Sequence, residues 1–195
     1  MELFAKLFRQ LDQTNKTNAK IQALVEYFRL ADPKDALWAI AVFSGKRPKR
    51  SVNTRELREW AAEEADLPLW MLEETYHIVG DLSETLANII PDKGKGRNDR
   101  GLADWISGLK KIRGGSDQVR REFILHAWRT LDSLERFAFN KLITGGLRVG
   151  ISQKNLGKAL AIHTGQPANI VALRLMGNWD PESVGWDELL LEDRR

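Results

Sequence analysis

Apolar residues recur every three or four positions over most of the chain, which is the spacing of an amphipathic helix. The first run is typical, because Phe4, Leu7, Phe8 and Leu11 fall on one helical face. Alternation of apolar and polar residues, the pattern of a half-buried strand, is almost absent. Connections of about 2 to 8 residues separate about ten or eleven such runs. The pattern therefore predicts an all-α fold, a compact bundle of many helices.

Polar residues indicate where several of these helices begin. Asp32 precedes Pro33, the arrangement of an N-cap followed by proline at the first helical position. Thr17 has a capping position before the second helix, and Asn53 with Glu56 three residues later has the spacing of a capping box. Each of these motifs predicts a helix start.

The stretch 142–160 joins two predicted helices through three glycines, which let the backbone reach positive φ and leave little bulk in front of its amides. Ser152 then stands where an N-cap belongs, so the free N–H groups of a new helix face the same way as Arg148 and Lys154. Two interpretations are open on spacing alone. The stretch is a corner that faces a polyanion, or a turn in which glycine ends a helix in a Schellman motif.

An earlier stretch has the same order of residue types. Phe43-Ser44-Gly45 and Ile143-Thr144-Gly145 each end an apolar helix, basic residues follow, and Ser51 or Ser152 precedes the next helix. The first stretch continues with KRPKR, which places four positive charges in five residues. These are matched loops of two pseudo-related halves, or two short glycine turns that are similar by chance.

The charges are segregated along the chain. Residues 59–92 contain nine acidic residues and no Lys or Arg, whereas 93–121 contain nine basic residues against three acidic ones. The polar, glycine-rich and basic segment 92–100 separates the predicted halves, 1–91 and 101–195. Such charge runs are most often solvated faces. The acidic block also suggests an alternative function, in which the chain is an all-α protein-interaction module whose residues 59–92 dock a basic partner.

Several kinds of chemistry are excluded. The chain has no cysteine, and it shows no membrane span, signal peptide, P-loop or metal-ligand spacing, so we expect a cytoplasmic protein without a membrane partner. His126 and His163 are interpreted as core or interface residues, and no catalytic residue is predicted. The function that remains is binding to nucleic-acid phosphates without recognition of the base sequence. Tryptophans in apolar helical patterns are interpreted as core rather than as base-stacking platforms: Trp38, Trp60, Trp70, Trp105 and Trp128.

The segment 135–161, ERFAFNKLITGGLRVGISQKNLGKALA, resembles the signature of the N-terminal DNA-binding domain of ATP-dependent DNA ligases. AVFSGKRPKRSVNTRELREWAAE and GDLSETLA resemble the bacterial members, and the resemblance spans essentially the whole chain, 1–195. It implies an all-α domain that lies on the minor groove of nicked double-stranded DNA. We expect the domain to be a monomer and its binding to be independent of base sequence. Its expected partners are this DNA, in repair and replication at the nucleoid, and the adenylation and OB domains of the parent ligase.

The resemblance also implies which residues bind DNA. Gly146 stands where many relatives have a bulkier residue. In the first loop, residues 44–51, the expected contacts are Ser44, Gly45, Lys46, Arg47, Lys49, Arg50 and Ser51. In the second loop, residues 144–152, they are Thr144, Gly145, Gly146, Arg148, Gly150 and Ser152. Lys154 is expected to bind DNA because its charge lies in the first turn of the helix that follows. Independently of the resemblance, secondary contacts are expected from the basic residues Lys93, Lys95, Arg97, Arg100 and Lys141.

The chain departs from a complete ligase in one respect. Catalysis in such ligases needs a Lys-x-Asp-Gly motif, and no lysine here is followed by x-Asp-Gly. We therefore expect an excised or naturally separate N-terminal domain that contains no adenylation or OB domain and cannot seal DNA alone. No cofactor is expected in it, because ATP and magnesium would belong to the catalytic domain.

Overall fold

The computed structural model describes residues 1–92, 98–147 and 149–191. These residues form twelve α-helices and no strand, which confirms the all-α prediction. The helices are α1 (Glu2–Gln13), α2 (Thr17–Leu30), α3 (Pro33–Phe43), α4 (Thr54–Glu64), α5 (Leu69–Val79), α6 (Leu82–Ile89), α7 (Leu102–Ile112), α8 (Asp117–Thr130), α9 (Ser133–Thr144), α10 (Gln153–Thr164), α11 (Ala168–Met176) and α12 (Trp186–Leu190).

Most of the predicted helix starts are confirmed by side-chain caps. Asp32 accepts a hydrogen bond from the N–H of Lys34 at 3.0 Å, and Asn53 accepts one from the N–H of Glu56 at 2.8 Å. The carboxylate of Glu56 binds an arginine of α8 instead of completing a capping box. The expectation for Thr17 is wrong, because Thr17 is the first residue of α2 rather than its cap.

The chain folds into two compact units, each built from separate stretches of sequence. Unit 1 consists of Met1–Ala5 and Pro48–Gly146, and unit 2 consists of Lys6–Arg47 and Leu147–Arg195. The predicted halves, 1–91 and 101–195, differ from these units. The reason is that α2 and α3 pack against α10, which is distant from them in the sequence.

Unit 1 contains α4 to α9. Helix α6 packs on α9, α5 packs on α4 and α6, and α8 packs on α4 and α7. Trp105, Trp128 and Phe139 are fully buried in its core. The indole Nε1 of Trp128 donates a hydrogen bond of 2.8 Å to the side chain of Asn140, which satisfies both buried groups.

The tryptophan prediction is wrong at one position. Trp70 is 65% exposed, because α5 buries Leu72 and leaves most of its other apolar residues at the surface. The prediction is confirmed for the four tryptophans whose side chains are buried: Trp38, Trp60, Trp105 and Trp128.

Unit 2 is organised around α10. Helix α10 packs against α2, α3 and α11, and α12 packs against α3 and α11. The ring of His163 lies beside those of Phe28 and Trp186, at centroid distances of 6.2 Å and 5.8 Å. His163 is therefore half-buried against aromatic rings at the edge of the unit's core.

Candidate nucleic-acid interface

The first loop begins where α3 ends. The N–H of Lys46 donates to the carbonyl of Ala41 at 2.8 Å, and the N–H of Gly45 donates to that of Val42 at 3.2 Å. These are the two hydrogen bonds of a Schellman motif. Gly45 has φ +84, and no atom lies within 4 Å of the place that a Cβ would take. Glycine is therefore required by the backbone conformation, and these two N–H groups are used by helix carbonyls rather than left for a ligand.

Lys46 is held inside unit 2 although the sequence places it in a basic run. Its Nζ donates to the carbonyl oxygens of Trp179 at 3.1 Å and Gly177 at 3.4 Å. The same ammonium lies 4.3 Å from the centroid of the Trp179 ring, a cation–π distance. The side chain is half-buried, so it presents less positive charge to a ligand than its neighbours do.

The other three basic residues of KRPKR have exposed side chains, namely Arg47, Lys49 and Arg50. In unit 1 the Nη2 of Arg50 lies 3.5 Å from the carbonyl oxygen of Thr144, the first residue of the second loop. The hydroxyl of Ser44, by contrast, is buried without a hydrogen-bond partner among the described residues. Charge at this loop therefore comes from the arginines and Lys49.

The second loop starts with the end of α9 in unit 1. Gly145 has φ +80, and its N–H donates to the carbonyl of Lys141 at 2.9 Å, the bond of the αL cap motif. A glycine that ends the helix is therefore confirmed, whereas contact with a polyanion stays a prediction. The hydroxyl of Thr144 is hydrogen-bonded to that of Ser83 at 3.0 Å. This bond fixes the Thr144 side chain against α6.

Lys141 lies beside this glycine turn. Its ammonium forms an ion pair with the carboxylate of Asp81, and only 14% of the side chain is exposed. A Cβ added at Gly146 would lie 3.0 Å from the Cδ of Lys141. The small size of Gly146 thus leaves room for the Lys141 stem, and the charge of Lys141 is compensated within unit 1.

In unit 2 the second loop is held by a residue that sequence reasoning missed. The Nζ of Lys20 donates to the carbonyl oxygens of Val149 at 2.7 Å and Gly150 at 3.3 Å, and Lys20 is 8% exposed. A signal was present in the sequence, since Lys20 interrupts the apolar stripe of α2 that continues with Ile21 and Leu24.

The loop ends at the N-terminus of α10. The hydroxyl of Ser152 accepts a hydrogen bond from the N–H of Asn155 at 3.1 Å, which confirms Ser152 as the N-cap. The side-chain amide of Gln153 donates to the carbonyl of Phe43 at 3.4 Å, so this helix start is linked to the end of α3 within unit 2. Lys154 is exposed. The other N–H groups of the first turn have no intrahelical partner and carry the positive end of the helix dipole.

Four candidate residues lie outside the described part of the chain, among them Arg148 of the second loop. The other three are secondary candidates: Lys93, Lys95 and Arg97. Arg100 is exposed, and its guanidinium carbon lies 5.1 Å from the centroid of the Trp105 ring.

Several carboxylates of the acidic block 59–92 are paired with arginines inside unit 1, and the pair Arg121–Glu63 joins the block to the basic stretch 93–121. Arginines of α8 form ion pairs with glutamates of α4, and Asp92 likewise pairs with the buried guanidinium of Arg136 at 2.8 Å. The segregation of charge in the sequence is therefore largely compensated within the unit. As a result, residues 59–92 are not one open acidic face. The α4–α8 pairs are Arg120–Glu56, Arg121–Glu63 and Arg129–Glu64.

A comparison with protein families identifies the chain. The family described as DNA ligase N terminus matches residues 1–161, a range that includes both loops. The chain belongs to this family. The resemblance to the N-terminal domain of ATP-dependent DNA ligases is thereby confirmed, and DNA and the other ligase domains are the partners that the family indicates. A bacterial origin stays a prediction, and none of the curated proteins matches the chain.

The matched range of the ligase domain runs from α1 into α10, and α11 and α12 lie beyond it. None of the described helices is long and apolar enough to cross a membrane. Within the described residues, no group of three or more His, Asp or Glu side chains could hold a metal ion.

Proposed function

We propose that this domain binds nicked double-stranded DNA through the sugar–phosphate backbones, without regard to base sequence. The observation that carries the proposal is that the first loop has three exposed cations and that the second loop leads into the capped start of α10. Arg47, Lys49, Arg50 and Lys154 all have exposed side chains. Lysine, arginine and helix N-termini are the groups that contact phosphates, whereas specific recognition needs side chains directed at base edges.

We further propose that the loops lie along the minor groove and that the domain, as a monomer, positions the catalytic domains of an ATP-dependent DNA ligase on the nick. Support for the groove comes from the resemblance of both loops to those of such ligases. Support for the partners comes from membership in the ligase family. The proposed contribution of the domain is affinity and orientation.

The proposed binding is tested by removing the exposed charges of the first loop. The variant Arg47→Ala with Lys49→Ala and Arg50→Ala is compared with wild type for binding to a nicked duplex across a salt series. The slope of log affinity against log salt is negative, and its magnitude should decrease by about 0.9 for each phosphate that the variant no longer neutralises. Lys46 is left intact because its ammonium is bound to carbonyl groups of unit 2.

The matched control removes three exposed basic residues at the end of α7, Lys110→Ala, Lys111→Ala and Arg113→Ala. It changes the net charge equally, and its salt slope should stay closer to that of wild type. Equal slopes for the two triple variants would contradict the assignment of the first loop. Competition with an intact duplex of the same sequence measures the proposed preference for nicks.

We also propose that the domain is not catalytic on its own, because no lysine in it is followed by x-Asp-Gly. Incubation with labelled ATP and magnesium should leave the chain unlabelled. A covalent adenylate on any lysine would refute this part of the proposal. It would leave the binding proposal standing.

A further inference from the structure

Helix α5 presents apolar side chains to the surface of unit 1. Its sequence LWMLEETYHIV is mostly apolar, yet Leu72 is its only buried residue. Trp70 is 65% exposed and Ile78 is 83% exposed. A surface helix normally turns its apolar stripe toward the core and its polar residues outward. In α5 much of the apolar surface faces outward.

These exposed residues form one continuous stripe. Trp70, Glu74 and Ile78 follow each other at intervals of four residues, so their side chains are neighbours on one helix face. Met71, which is 37% exposed, borders the same face. The stripe extends about 12 Å along the helix axis. That length corresponds to about two turns of a helix packed against it.

Two carboxylates without an ion pair among the described residues lie on α5 or just before it. Glu74 lies within the stripe, and neither Glu74 nor Asp66 forms an ion pair with any described residue. The adjacent carboxylate of Glu73, in contrast, pairs with Arg58 at 3.0 Å.

Beside the start of α5 is a cleft of about 250 Å³ that combines carboxylates with apolar walls. It is lined by Glu59, Ala62, Glu63, Asp66, Leu67 and Leu69. Glu59 and Glu63 already pair with Arg55 and Arg121, so Asp66 is the cleft carboxylate that is open to a partner.

This combination of apolar and acidic groups selects the chemistry of an occupant. The exposed carboxylates repel phosphates, so the stripe is unsuited to nucleic acid. The aromatic and aliphatic side chains offer the anchors that protein interfaces use. A basic amphipathic helix complements both features, because it carries apolar residues on one face and lysine or arginine along its edges.

We propose that the α5 surface, formed by Trp70, Met71, Glu74 and Ile78, docks a basic amphipathic helix of a protein partner. Apolar residues of that helix pack on Trp70 and Ile78, and its basic residues pair with Glu74 and Asp66. None of these residues belongs to the predicted DNA contacts. The α5 surface is thus a second binding site, whose presence does not depend on the proposed DNA binding.

The test uses a synthetic leucine–lysine amphipathic helix of about 18 residues, and the same peptide with every lysine replaced by glutamate. Binding to the whole chain is measured by calorimetry. Wild type should bind the lysine peptide and not the glutamate peptide. Trp70→Ser with Ile78→Ser should weaken binding by about tenfold or more, and Glu74→Lys by about threefold. Circular dichroism checks that the variants keep their helices.

The matched control replaces two exposed apolar residues of α11, Leu173→Ser and Met176→Ser, which are 69% and 84% exposed. This control should bind the lysine peptide within about twofold of wild type. Nicked-DNA affinity should be unchanged in the α5 variants, and peptide affinity unchanged in the Arg47, Lys49 and Arg50 variant. The α5 proposal and the DNA-binding proposal are therefore tested independently of each other.

Four results would overturn the α5 proposal. The first is that the two peptides bind equally well, and the second is that the α5 variants bind the lysine peptide as tightly as wild type does. The third is that wild type does not bind the lysine peptide at concentrations up to about 1 mM. The fourth is that wild type forms a dimer in sedimentation and the Trp70→Ser, Ile78→Ser variant does not. The last result would assign the surface to a second copy of the chain.

Discussion

The loop after α3 and the loop after α9 both begin with a glycine in the left-handed region, Gly45 at φ +84 and Gly145 at φ +80. Each glycine N–H donates to a carbonyl of the preceding helix. Beyond the glycines the two loops differ. Ser152 caps α10, but Ser51 does not cap α4, because Asn53 two residues later has that role. Both sequences therefore end a helix with a left-handed glycine, in a Schellman motif at Gly45 and in an αL motif at Gly145.

The groups that fix each loop also differ. In unit 2, the first loop is held by its own Lys46, whose ammonium binds the Trp179 carbonyl and ring. The second loop is held by Lys20, which donates to Val149 and Gly150. One loop thus uses a cation of its own for structure, whereas the other receives one from α2. This difference predicts which lysines affect stability and which affect DNA binding.

The largest expected effect is that of Lys20→Met. The substitution removes a buried charged donor and leaves two carbonyl groups of the second loop without it, so the free energy of unfolding should fall by about 2 to 3 kcal/mol. Urea unfolding measures the decrease. Lys16→Met, an exposed lysine just before the same helix, is the control and should change the free energy by less than about 0.5 kcal/mol. Equal decreases would show that Lys20 does not fix the loop.

The second comparison is between the glycines. Gly45→Ala should cost about 1 kcal/mol, because a Cβ there meets no atom within 4 Å and only the left-handed backbone is strained. Gly150→Ala should cost more, because its Cβ would lie 2.8 Å from the Lys20 Nζ at a backbone φ of +63. The extra cost should shrink when Lys20→Met is also present, which a double-mutant cycle measures. Additive costs would be evidence against direct coupling.

The third comparison separates two lysines of the first loop. Lys46→Ala should lower the free energy of unfolding by about 1 kcal/mol, since it removes the cation–π contact and hydrogen bonds to two carbonyls. Lys49→Ala should leave stability within about 0.5 kcal/mol of wild type but reduce the salt slope of DNA binding. Thermal unfolding and a salt titration of each variant measure both. If Lys49→Ala lowered stability and Lys46→Ala reduced the salt dependence of DNA binding, the assigned roles of the two lysines would be wrong.

The smallest expected effect concerns the serines. Ser152→Ala should cost about 0.5 to 1 kcal/mol because the cap of α10 is removed, whereas Ser51→Ala should cost less. Hydrogen exchange of the first amides of α10 and α4 locates the effect. Faster exchange at the start of α4 in Ser51→Ala would indicate that Ser51, like Ser152, stabilises the start of the helix that follows it.

Features that depend on neighbouring residues could be predicted from the sequence. The caps formed by Asp32, Asn53 and Ser152 each join residues two or three positions apart, and so their motifs are sufficient signals. The exposure of Trp70 could not be predicted, because apolar spacing gives the faces of a helix but not which face is covered. The engagement of Lys46 likewise depends on Trp179, which is 133 positions away.

By itself, the sequence determined that the chain is helical, where α3 and α9 end, and that it resembles a ligase N-terminal domain. These properties follow from local hydrogen bonding and from the order of residue types. The tertiary structure decided that α2 packs with α10, that α8 arginines compensate the α4 glutamates, and that Lys20 holds the second loop. Such contacts join residues far apart in the chain, so they form only when folding brings the helices together.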